Sequence, residues 1–480
     1  MSLDEQIDAL FAPVSEVVSK VVFYSIPIME GVDLKVILLW LAAAAVFFTI
    51  YLGFINIRLF SHAVKLLFGQ GMKKNSGGEI SQFQALMASL SGTVGLGNIG
   101  GVAVAISTGG PGAAFWMTVM GFLGMSSKFA EVMLGVKYRQ TPDLENPTRI
   151  SGGPMYYLKE IFTRNGYPKV GAVIAAIFAF CCILGAIGGG NMYQANQAYK
   201  QLWVATGGET GVLEGYAWLV GLVLAGLVGA VIIGGLKSIA AVASKIVPLM
   251  AAIYIVAALI VIGLHIDSLP AAFSTIISDA FSIKAGIGAL LGGLLIGVQR
   301  AAFSNEAGLG SASIVQATAN TDGPVGTGLV AMLGPFIDTI IICNMTALVI
   351  VITGAYQVTD GLQGVELTSL AFEGGIENFK YVLTAVVLLF AYSTMISWYY
   401  CGATCVRYIF GEKDKIEMIF KVFFCSCIVV GATAKFSNMM NFADAVFLAA
   451  AFPNILGLFL FAPEIKRDLK EYVQGLKNKK

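Results

Sequence analysis

The sequence contains few charged residues. Only 12% of its 480 residues are Asp, Glu, Lys or Arg, 57% are hydrophobic, and the mean hydropathy is +0.79. A soluble domain carries about 25% charged residues, so this composition excludes an ordinary soluble protein and indicates that most of the surface faces lipid. The 30 basic and 29 acidic residues leave a net charge of +1. That charge provides no field for binding nucleic acid or an acidic polymer.

Histidine and paired cysteine are also scarce. The chain has two His, His62 and His265, and its seven Cys include no Cys-x-x-Cys spacing. This pattern predicts neither a zinc site nor a disulfide framework. A membrane enzyme would need metal ligands or a nucleophile with its base, so this rival function has little support in the sequence.

Long apolar runs, in contrast, recur along the whole chain. A membrane-spanning helix needs about 20 apolar residues to cross roughly 30 Å of hydrocarbon, and eleven segments approach or exceed that length. We name them the leading helix and core helices one to ten. They are predicted near residues 34–56 (leading), 82–107, 111–136, 170–199, 214–236, 239–264, 286–316, 327–353, 380–402, 416–434 and 439–461.

Basic residues are unevenly divided between the two sides that these segments define. With the N-terminus outside, 22 Lys and Arg lie on the cytoplasmic side and six lie outside. Membrane proteins carry their excess of Lys and Arg in cytoplasmic loops. The sequence therefore predicts a multi-pass protein of the plasma (inner) membrane, in contact with the lipid bilayer, with its N-terminus outside and its C-terminus in the cytoplasm. The first residues lack the basic start and apolar run of a cleaved signal peptide.

Glycine is concentrated in the middle of core helix one. Residues 91–101 read SGTVGLGNIGG, with five Gly in eleven positions. Each Gly costs up to about 1 kcal/mol relative to Ala in a helix interior, and unwound backbone in lipid persists only where protein or a polar cavity satisfies it. We therefore predict a broken helix. Close helix packing through Gly97 and Gly101 is the alternative. The Gly-x-Gly-x-x-Gly match in this run follows no strand, which argues against a dinucleotide site.

Core helix six is interrupted in a similar way. Gly residues and the polar run from Ser304 to Ser311 fall at membrane depth, five helices after the first break. Because five is odd, the second half is inverted, as in transporters built from inverted repeats. The predicted fold is all-α and integral to the membrane. It has about 11 transmembrane helices: a 5+5 inverted-repeat core with broken first and sixth core helices, plus the leading helix.

This fold predicts a division of the chain into six parts. Residues 57–81 contain alternating apolar and basic positions, which favours a helix on the inner membrane surface over a plain loop. The parts are an extracytoplasmic segment at 1–33, the leading helix at 34–56, a cytoplasmic interfacial segment at 57–81, a first repeat at 82–264, a second repeat at 265–461 and a cytoplasmic basic tail at 462–480.

Three segments carry a family resemblance. The sequences TVGLGNIGGVA at 93–103, GGPGAAFWM at 109–117 and FSNEAGLGSA at 303–312 resemble signatures of the alanine or glycine:cation symporter family. That family shares the inverted-repeat fold of the neurotransmitter:sodium symporters. The resemblance implies sodium-coupled uptake of small amino acids, with sodium as coupling ion and no cofactor. Two departures stand out: Thr118 replaces a usual Trp, and Cys401 to Thr404 replace a Gly-Glu pair.

The resemblance also implies a sodium site. In the related symporters a hydroxyl pair on core helix eight binds sodium, which corresponds here to Ser393 and Thr394. Carbonyl and amide oxygens at the first break supply further hard ligands. The predicted sodium-binding residues are Ser91, Val94, Asn98, Ser393 and Thr394.

A substrate site is predicted at the same breaks. Free amides at a half-helix end attract a carboxylate, and free carbonyls attract an ammonium group. We expect the carboxylate near Leu96 and Gly97 and the ammonium group near the carbonyls around Gly297. The resemblance adds Gln194 and Trp398. For Trp398, a position in the interfacial aromatic belt is the alternative. The predicted substrate-binding residues are Thr93, Gly95, Leu96, Gly97, Gln194, Gly297, Gln299 and Trp398.

Charged side chains inside the spans need partners. An ionised group at the helix centre costs about 2.5–3.5 kcal/mol. Lys128 and Glu131, three residues apart, are predicted to pair, and Asp444 is predicted at a helix interface. The gate or ion-coupling candidates are Arg300, Glu306 and Asp338. Arg300 is expected to pair with Glu306, either as an inner gate or as a fixed pair at the helix end. For Asp338, ion coupling is expected, with a simple pair to Arg300 as the alternative.

These features predict a sodium-coupled secondary symporter that takes up small neutral amino acids such as alanine and glycine by alternating access. Its partners are the amino acid, the sodium ion and the bilayer. Larger amide amino acids such as glutamine are the alternative substrates. An uncoupled channel or uniporter of the same fold is the rival mechanism, which a test of coupling would separate.

Overall fold

A computed structural model of the chain describes residues 3–29, 32–69, 77–140, 150–282, 287–321, 323–358 and 361–478, and most of them are helical. Each of the eleven predicted apolar segments coincides with a helix or with consecutive helical pieces. The predicted all-α membrane fold is therefore confirmed.

The region before the first repeat contains the only β-strands of the described residues. Strand Ser25–Met29 pairs antiparallel with Val32–Lys35, with Ser25 opposite Lys35. The predicted interfacial segment is helical up to Leu67, residues 77–81 are not helical, and residues 70–76 lie outside the described ranges. The helices of this region are Leu3–Val22, the leading helix Val36–Tyr51, Ile55–Arg58 and Phe60–Leu67.

The first of the first five core helices begins with a capping box. The Ser81 hydroxyl accepts from the Gln84 backbone amide at 3.1 Å, and the Gln84 side chain accepts from the Ser81 backbone amide at 3.1 Å. Core helix one comprises Gln82–Thr93, a π-helix Gly97–Gly101 and Val102–Gly109; two is Gly112–Lys137; three comprises Pro168–Ile187, a π-helix Gly188–Met192 and Tyr193–Ala205; four is Ala217–Ile232; five is Gly235–Leu264. Helix Pro154–Arg164 and the 3-10 turn Gly208–Thr210 lie in the connections.

The second five core helices also consist of single helices and of consecutive helical pieces. Core helix six comprises Ile287–Asn305 and Ser311–Gln316; seven comprises Pro324–Ala331, Leu333–Pro335, a π-helix Phe336–Cys343 and Asn344–Ile352; eight is Phe379–Phe410; nine is Asp414–Thr433; ten comprises Phe436–Ala449 and Ala451–Lys477. The connections hold helices Leu269–Ala280 and Val365–Glu373 and the 3-10 turns Ile266–Ser268 and Ala355–Gln357. The boundaries of the two repeats stay a prediction.

Helix length and apolarity agree with a membrane protein. Within the described residues, seven helices are long and apolar enough to cross a membrane, or eight if the two halves of core helix one, bent by 51°, form one span. The leading helix and core helix four are shorter apolar helices. In core helix two 83% of the most apolar window is buried, against 39% in core helices five and nine. Core helix two is therefore central, and core helices five and nine present more of their surface to lipid.

The break in core helix six has a left-handed backbone. The φ angles are +56° at Glu306, +90° at Gly308 and +85° at Gly310. Glycine adopts this region without steric cost, whereas Glu does not. The surrounding structure must therefore hold the Glu306 backbone in place.

Two charged side chains of core helix two hold this break. The Glu131 carboxylate accepts from the amides of Gly308 and Gly310 at 3.0 and 3.1 Å. The Lys128 ammonium donates to the Glu306 carbonyl at 3.0 Å and lies 3.0 Å from Glu131. The predicted Lys128–Glu131 pair is confirmed, and its members also satisfy the backbone groups that the break exposes.

We expect Glu131→Ala to destabilise the fold by about 3–5 kcal/mol, because removing one member leaves the buried Lys128 ammonium without its counter-charge. The measurement is the midpoint of denaturation of the purified protein in detergent. Glu377→Ala, which removes an exposed carboxylate, is the control. Equal midpoints for the two variants would contradict this role of Glu131.

Candidate functional site

The break in core helix one is closed by amide side chains. The helix ends at Thr93, the Asn98 side chain accepts from the Gly95 amide at 2.9 Å, and the Gln194 side chain accepts from the Leu96 amide at 3.0 Å. Gln194 also donates to the Gly189 carbonyl at 2.9 Å, within the π-helix of core helix three. Core helices one and three therefore meet through Gln194, at the position that the sequence analysis assigned to the substrate.

The predicted sodium ligands lie on facing surfaces of core helices one and eight. The Ser91 hydroxyl donates to the Ser393 carbonyl at 2.6 Å. A Cβ atom added at Gly95 would lie 2.5 Å from the Thr394 hydroxyl oxygen, so this hydroxyl touches the unwound backbone. Val94 is the first residue after the helix end, directly before Gly95, and it is fully buried. The structure thus brings oxygen atoms of both helices together.

Asn98 belongs to a second polar cluster. Its amide nitrogen donates to the Asp338 carboxylate at 2.6 Å. The hydroxyls of Ser304 and Thr339 donate to the other carboxylate oxygen at 2.7 and 2.8 Å. Asp338 is fully buried, and these three donors are neutral. The cluster connects the breaks of core helices one and six with the π-helix of core helix seven.

Trp398 lies at the centre of the helix bundle. Its indole nitrogen donates to the Glu306 carboxylate at 3.0 Å and to the Gly92 carbonyl at 3.3 Å. The ring packs against Gly190 and Phe447, and only 4% of the residue is exposed. The alternative of an interfacial belt position does not agree with this location. The indole joins core helix eight to both breaks.

Arg300 and Glu306 do not pair with each other. Glu306 accepts from the hydroxyl of Ser311 as well as from Trp398. Arg300 instead forms a buried ion pair with Asp444 of core helix ten. The predicted Arg300–Glu306 pair and the alternative Arg300–Asp338 pair are therefore both wrong, because the Arg300 guanidinium points towards core helix ten.

Two predicted substrate contacts have other neighbours. A Cβ atom at Gly297 would lie 2.7 Å from the Ala113 carbonyl oxygen, so this glycine permits close packing against core helix two. It belongs to the continuous helix Ile287–Asn305, and its carbonyl is not at the break as expected. Gln299 accepts from Lys35 at 2.9 Å and donates to Asp444 at 2.6 Å. The break of core helix six lies further along, at residues 306–310.

Several residues of this centre have roles that the sequence analysis missed. Asn454 of core helix ten donates to the Gly308 carbonyl at 2.8 Å and accepts from the Tyr157 hydroxyl. Asp444 contributes to the Arg300 pair and not merely to a helix interface. The local signal was a polar residue inside an apolar run, but that signal does not identify a partner on a distant helix.

Of the remaining predicted residues, Gly97 contacts core helix six. A Cβ atom there would lie 3.3 Å from the Phe303 ring and 3.4 Å from the Ser304 Cα atom. Thr93 donates to the Leu90 carbonyl at 3.3 Å. Thr118, at one of the family departures, donates to the Asn344 side chain at 2.9 Å, which links core helices two and seven.

The chain is similar to known transporters over most of its length. The family model described as the sodium:alanine symporter family matches residues 18–480. The sodium/alanine symporter AgcS of Methanococcus maripaludis is 40% identical over 444 residues, which cover 92% of this chain and 95% of that protein. The probable sodium/glutamine symporter GlnT of Bacillus subtilis is 33% identical, with 92% and 89% covered.

Two further comparisons concern the coupling ion and the fold. The putative sodium/proton-dependent alanine carrier protein YrbD of Bacillus subtilis is 33% identical, covering 88% of this chain and 87% of that protein. The crystal structure of MhsT in complex with L-phenylalanine is similar with a TM-score of 0.52 and 16% identity, covering 82% of this chain and 98% of that one. This likeness supports the inverted-repeat fold.

Proposed function

Because the chain belongs to the sodium:alanine symporter family, a family of membrane transporters and not of enzymes, we propose that it takes up small neutral amino acids such as alanine and glycine together with sodium. Glutamine is the alternative substrate, since a relative named as a probable glutamine symporter is 33% identical. The observation that carries the proposal is the contact of the first break with Thr394 and Gln194.

Sodium is the proposed coupling ion because the ligands at this contact are oxygen atoms. The Ser91 hydroxyl donates to the Ser393 carbonyl, and the Gly95 backbone lies next to the Thr394 hydroxyl. Alkali and alkaline-earth cations prefer such hard ligands. The Asn98–Asp338 cluster is a candidate for a second cation, because its buried carboxylate is bonded by three neutral donors. We expect no organic cofactor.

The substrate carboxylate is proposed to bind at the amides of Leu96 and Gly97. The Gln194 oxygen already accepts from the Leu96 amide, so it occupies the acceptor position expected for a carboxylate. Substrate binding then requires the Gln194 side chain to move aside. Trp398 borders the same region through Gly92, where its ring limits the room for a substrate side chain.

Alternating access is proposed as the mechanism. A cavity of about 510 Å³ lies at the predicted outer ends of core helices one, six and ten. On the predicted inner side, a cavity of about 10 Å³ lies beside Gly92, Glu306, Ser311 and Trp398. This difference supports a state in which the outer path is open and the inner path is closed by the Trp398 contacts. Transport would require those contacts to break.

Uptake of labelled alanine into proteoliposomes is expected to require an inward sodium gradient. A potential of 100 mV is worth about 2.3 kcal/mol per cation, so one sodium ion alone supports about fortyfold accumulation. Accumulation that persists without sodium and disappears when a proton gradient is dissipated would contradict sodium coupling. Equilibration without accumulation would indicate a uniporter or channel.

Gly95→Ala is expected to reduce sodium-dependent alanine uptake by at least about tenfold. The added methyl group would lie 2.5 Å from the Thr394 hydroxyl oxygen and 3.2 Å from the Gln194 side-chain oxygen, so it displaces both. Gly101→Ala is the matched control, because no atom lies within 4 Å of the new Cβ position. If both variants transport equally, the site lies elsewhere. Gly97→Leu, which would meet Phe303, is expected to abolish uptake.

Trp398→Ala is expected to weaken alanine binding and to admit larger amino acids such as glutamine or leucine. One methylene group in an apolar pocket changes affinity by about 1–3 kcal/mol, so the ranking of substrates should shift. Competition assays across a panel of amino acids measure this shift. Trp203→Ala, which removes an indole near the predicted outer surface, should leave the ranking unchanged. An unchanged ranking in Trp398→Ala would show that the ring is only structural.

A further inference from the structure

A groove between core helices four and nine opens onto the lipid-facing surface of the protein. Its volume is about 370 Å³, and Leu222 on one wall and Val422 on the other are exposed. Almost all of the wall is apolar. The Ser426 hydroxyl in the wall donates to the Val422 carbonyl at 3.0 Å, so its hydrogen atom is already used. The wall of the groove therefore suits an apolar occupant.

The groove is closed at one end and open at the other. A Cβ atom added at Gly221 would lie 2.8 Å from the Val429 Cα atom, whereas one added at Gly229 would meet only a sulfur atom of core helix nine, at 3.8 Å. The two helices thus touch near Gly221 and diverge towards their predicted cytoplasmic ends. From Leu222 to Ile233 the groove extends roughly 16 Å at the helical rise. That length is about half of the hydrocarbon thickness, so the groove crosses one leaflet, the predicted inner one.

Lys421 supplies the charge at the open end of the groove. Its side chain is 19% exposed, and its ammonium group lies 3.4 Å from the Glu417 carboxylate. Glu417 also lies 3.5 Å from the Arg407 guanidinium, so two cations share that carboxylate. Core helix nine starts at Asp414 on the predicted cytoplasmic side, which places Lys421 on its second turn. A lysine at this depth extends its ammonium group towards the lipid headgroups.

We propose that this groove binds an anionic phospholipid of the inner leaflet, with one acyl chain along the apolar wall and the headgroup phosphate beside Lys421. A soluble metabolite would leave its polar groups unpaired against this wall. A second copy of the chain would gain little from the groove, because lipid chains are as apolar as the helix surface that they cover. The preference for an anionic over a zwitterionic headgroup follows from the positive charge at the open end, since basic residues near a membrane surface attract anionic lipids.

The lipid that the purified chain retains tests this site. The protein in detergent is incubated with equal amounts of phosphatidylglycerol and phosphatidylcholine of the same chain length, and native mass spectrometry measures the bound lipid. We expect about fivefold more phosphatidylglycerol, which corresponds to about 1 kcal/mol for one basic side chain near the membrane surface. Equal retention of the two lipids would overturn the proposal. A lipid-free dimer would show that a second copy covers the groove, which would also overturn it.

Substitutions of lysine test the headgroup contact. Lys421→Gln should abolish the preference for phosphatidylglycerol, because it removes the charge at the open end, and Lys421→Arg should keep the preference. Lys245→Gln, which removes an exposed lysine of core helix five, is the control and should bind as the wild type does. An undiminished preference in Lys421→Gln would contradict the proposal.

Substitutions of glycine test the acyl-chain contact and do not depend on whether the Lys421 variants fold. Gly229→Leu places a side chain in the groove, so the variant should lose the excess of phosphatidylglycerol. Gly226→Leu on the same helix is the matched control, because no atom lies within 4 Å of the new Cβ position. Equal retention of phosphatidylglycerol by the two leucine variants would show that the lipid lies outside the groove and would overturn the proposal.

Discussion

Interrupted backbone inside a membrane must find its hydrogen-bond partners within the protein, and the rest of this structure depends on how the two breaks meet that requirement. The break in core helix six is satisfied by the charges of Lys128 and Glu131. The break in core helix one is satisfied by the neutral side chains of Asn98 and Gln194. Neutral partners are exchanged at lower cost than buried charges. The first break is therefore the better place for a ligand to enter.

The two breaks are also connected to each other. Trp398 bonds to the Gly92 carbonyl, just before the first break, and to the Glu306 carboxylate in the second. Asp338 accepts from Asn98 and Ser304. A displacement at the first break consequently changes contacts at the second. Buried ionic and polar groups of this kind contribute little net stability. Their contribution here is to fix one arrangement of these helices.

Sequence patterns were sufficient for the helices and insufficient for the partners. Core helix five was predicted at 239–264 and is found at Gly235–Leu264, because a long apolar run is a local signal. The glycine-rich run at 91–101 likewise predicted the first break. The Arg300–Asp444 pair joins residues 144 positions apart, and Asn98 and Asp338 are 240 positions apart. Composition shows that such a buried charge needs a partner, but only the packing of the helices selects it. The same limit misplaced Gly297, whose contact with Ala113 lies between helices.

The N-terminal helix has a consequence for how the chain is made. The Ser15 hydroxyl donates to the Asn438 carbonyl across 423 positions, and Asp8 accepts from the Lys435 amide across 427. Phe11 packs edge-on against Phe442. These partners are translated more than 400 residues after the N-terminal helix, so this helix lacks most of its docking surface until core helix ten is in place. Docking of the N-terminal helix thus follows the insertion of core helix ten, and chains that lack core helix ten would expose this segment to quality-control proteases.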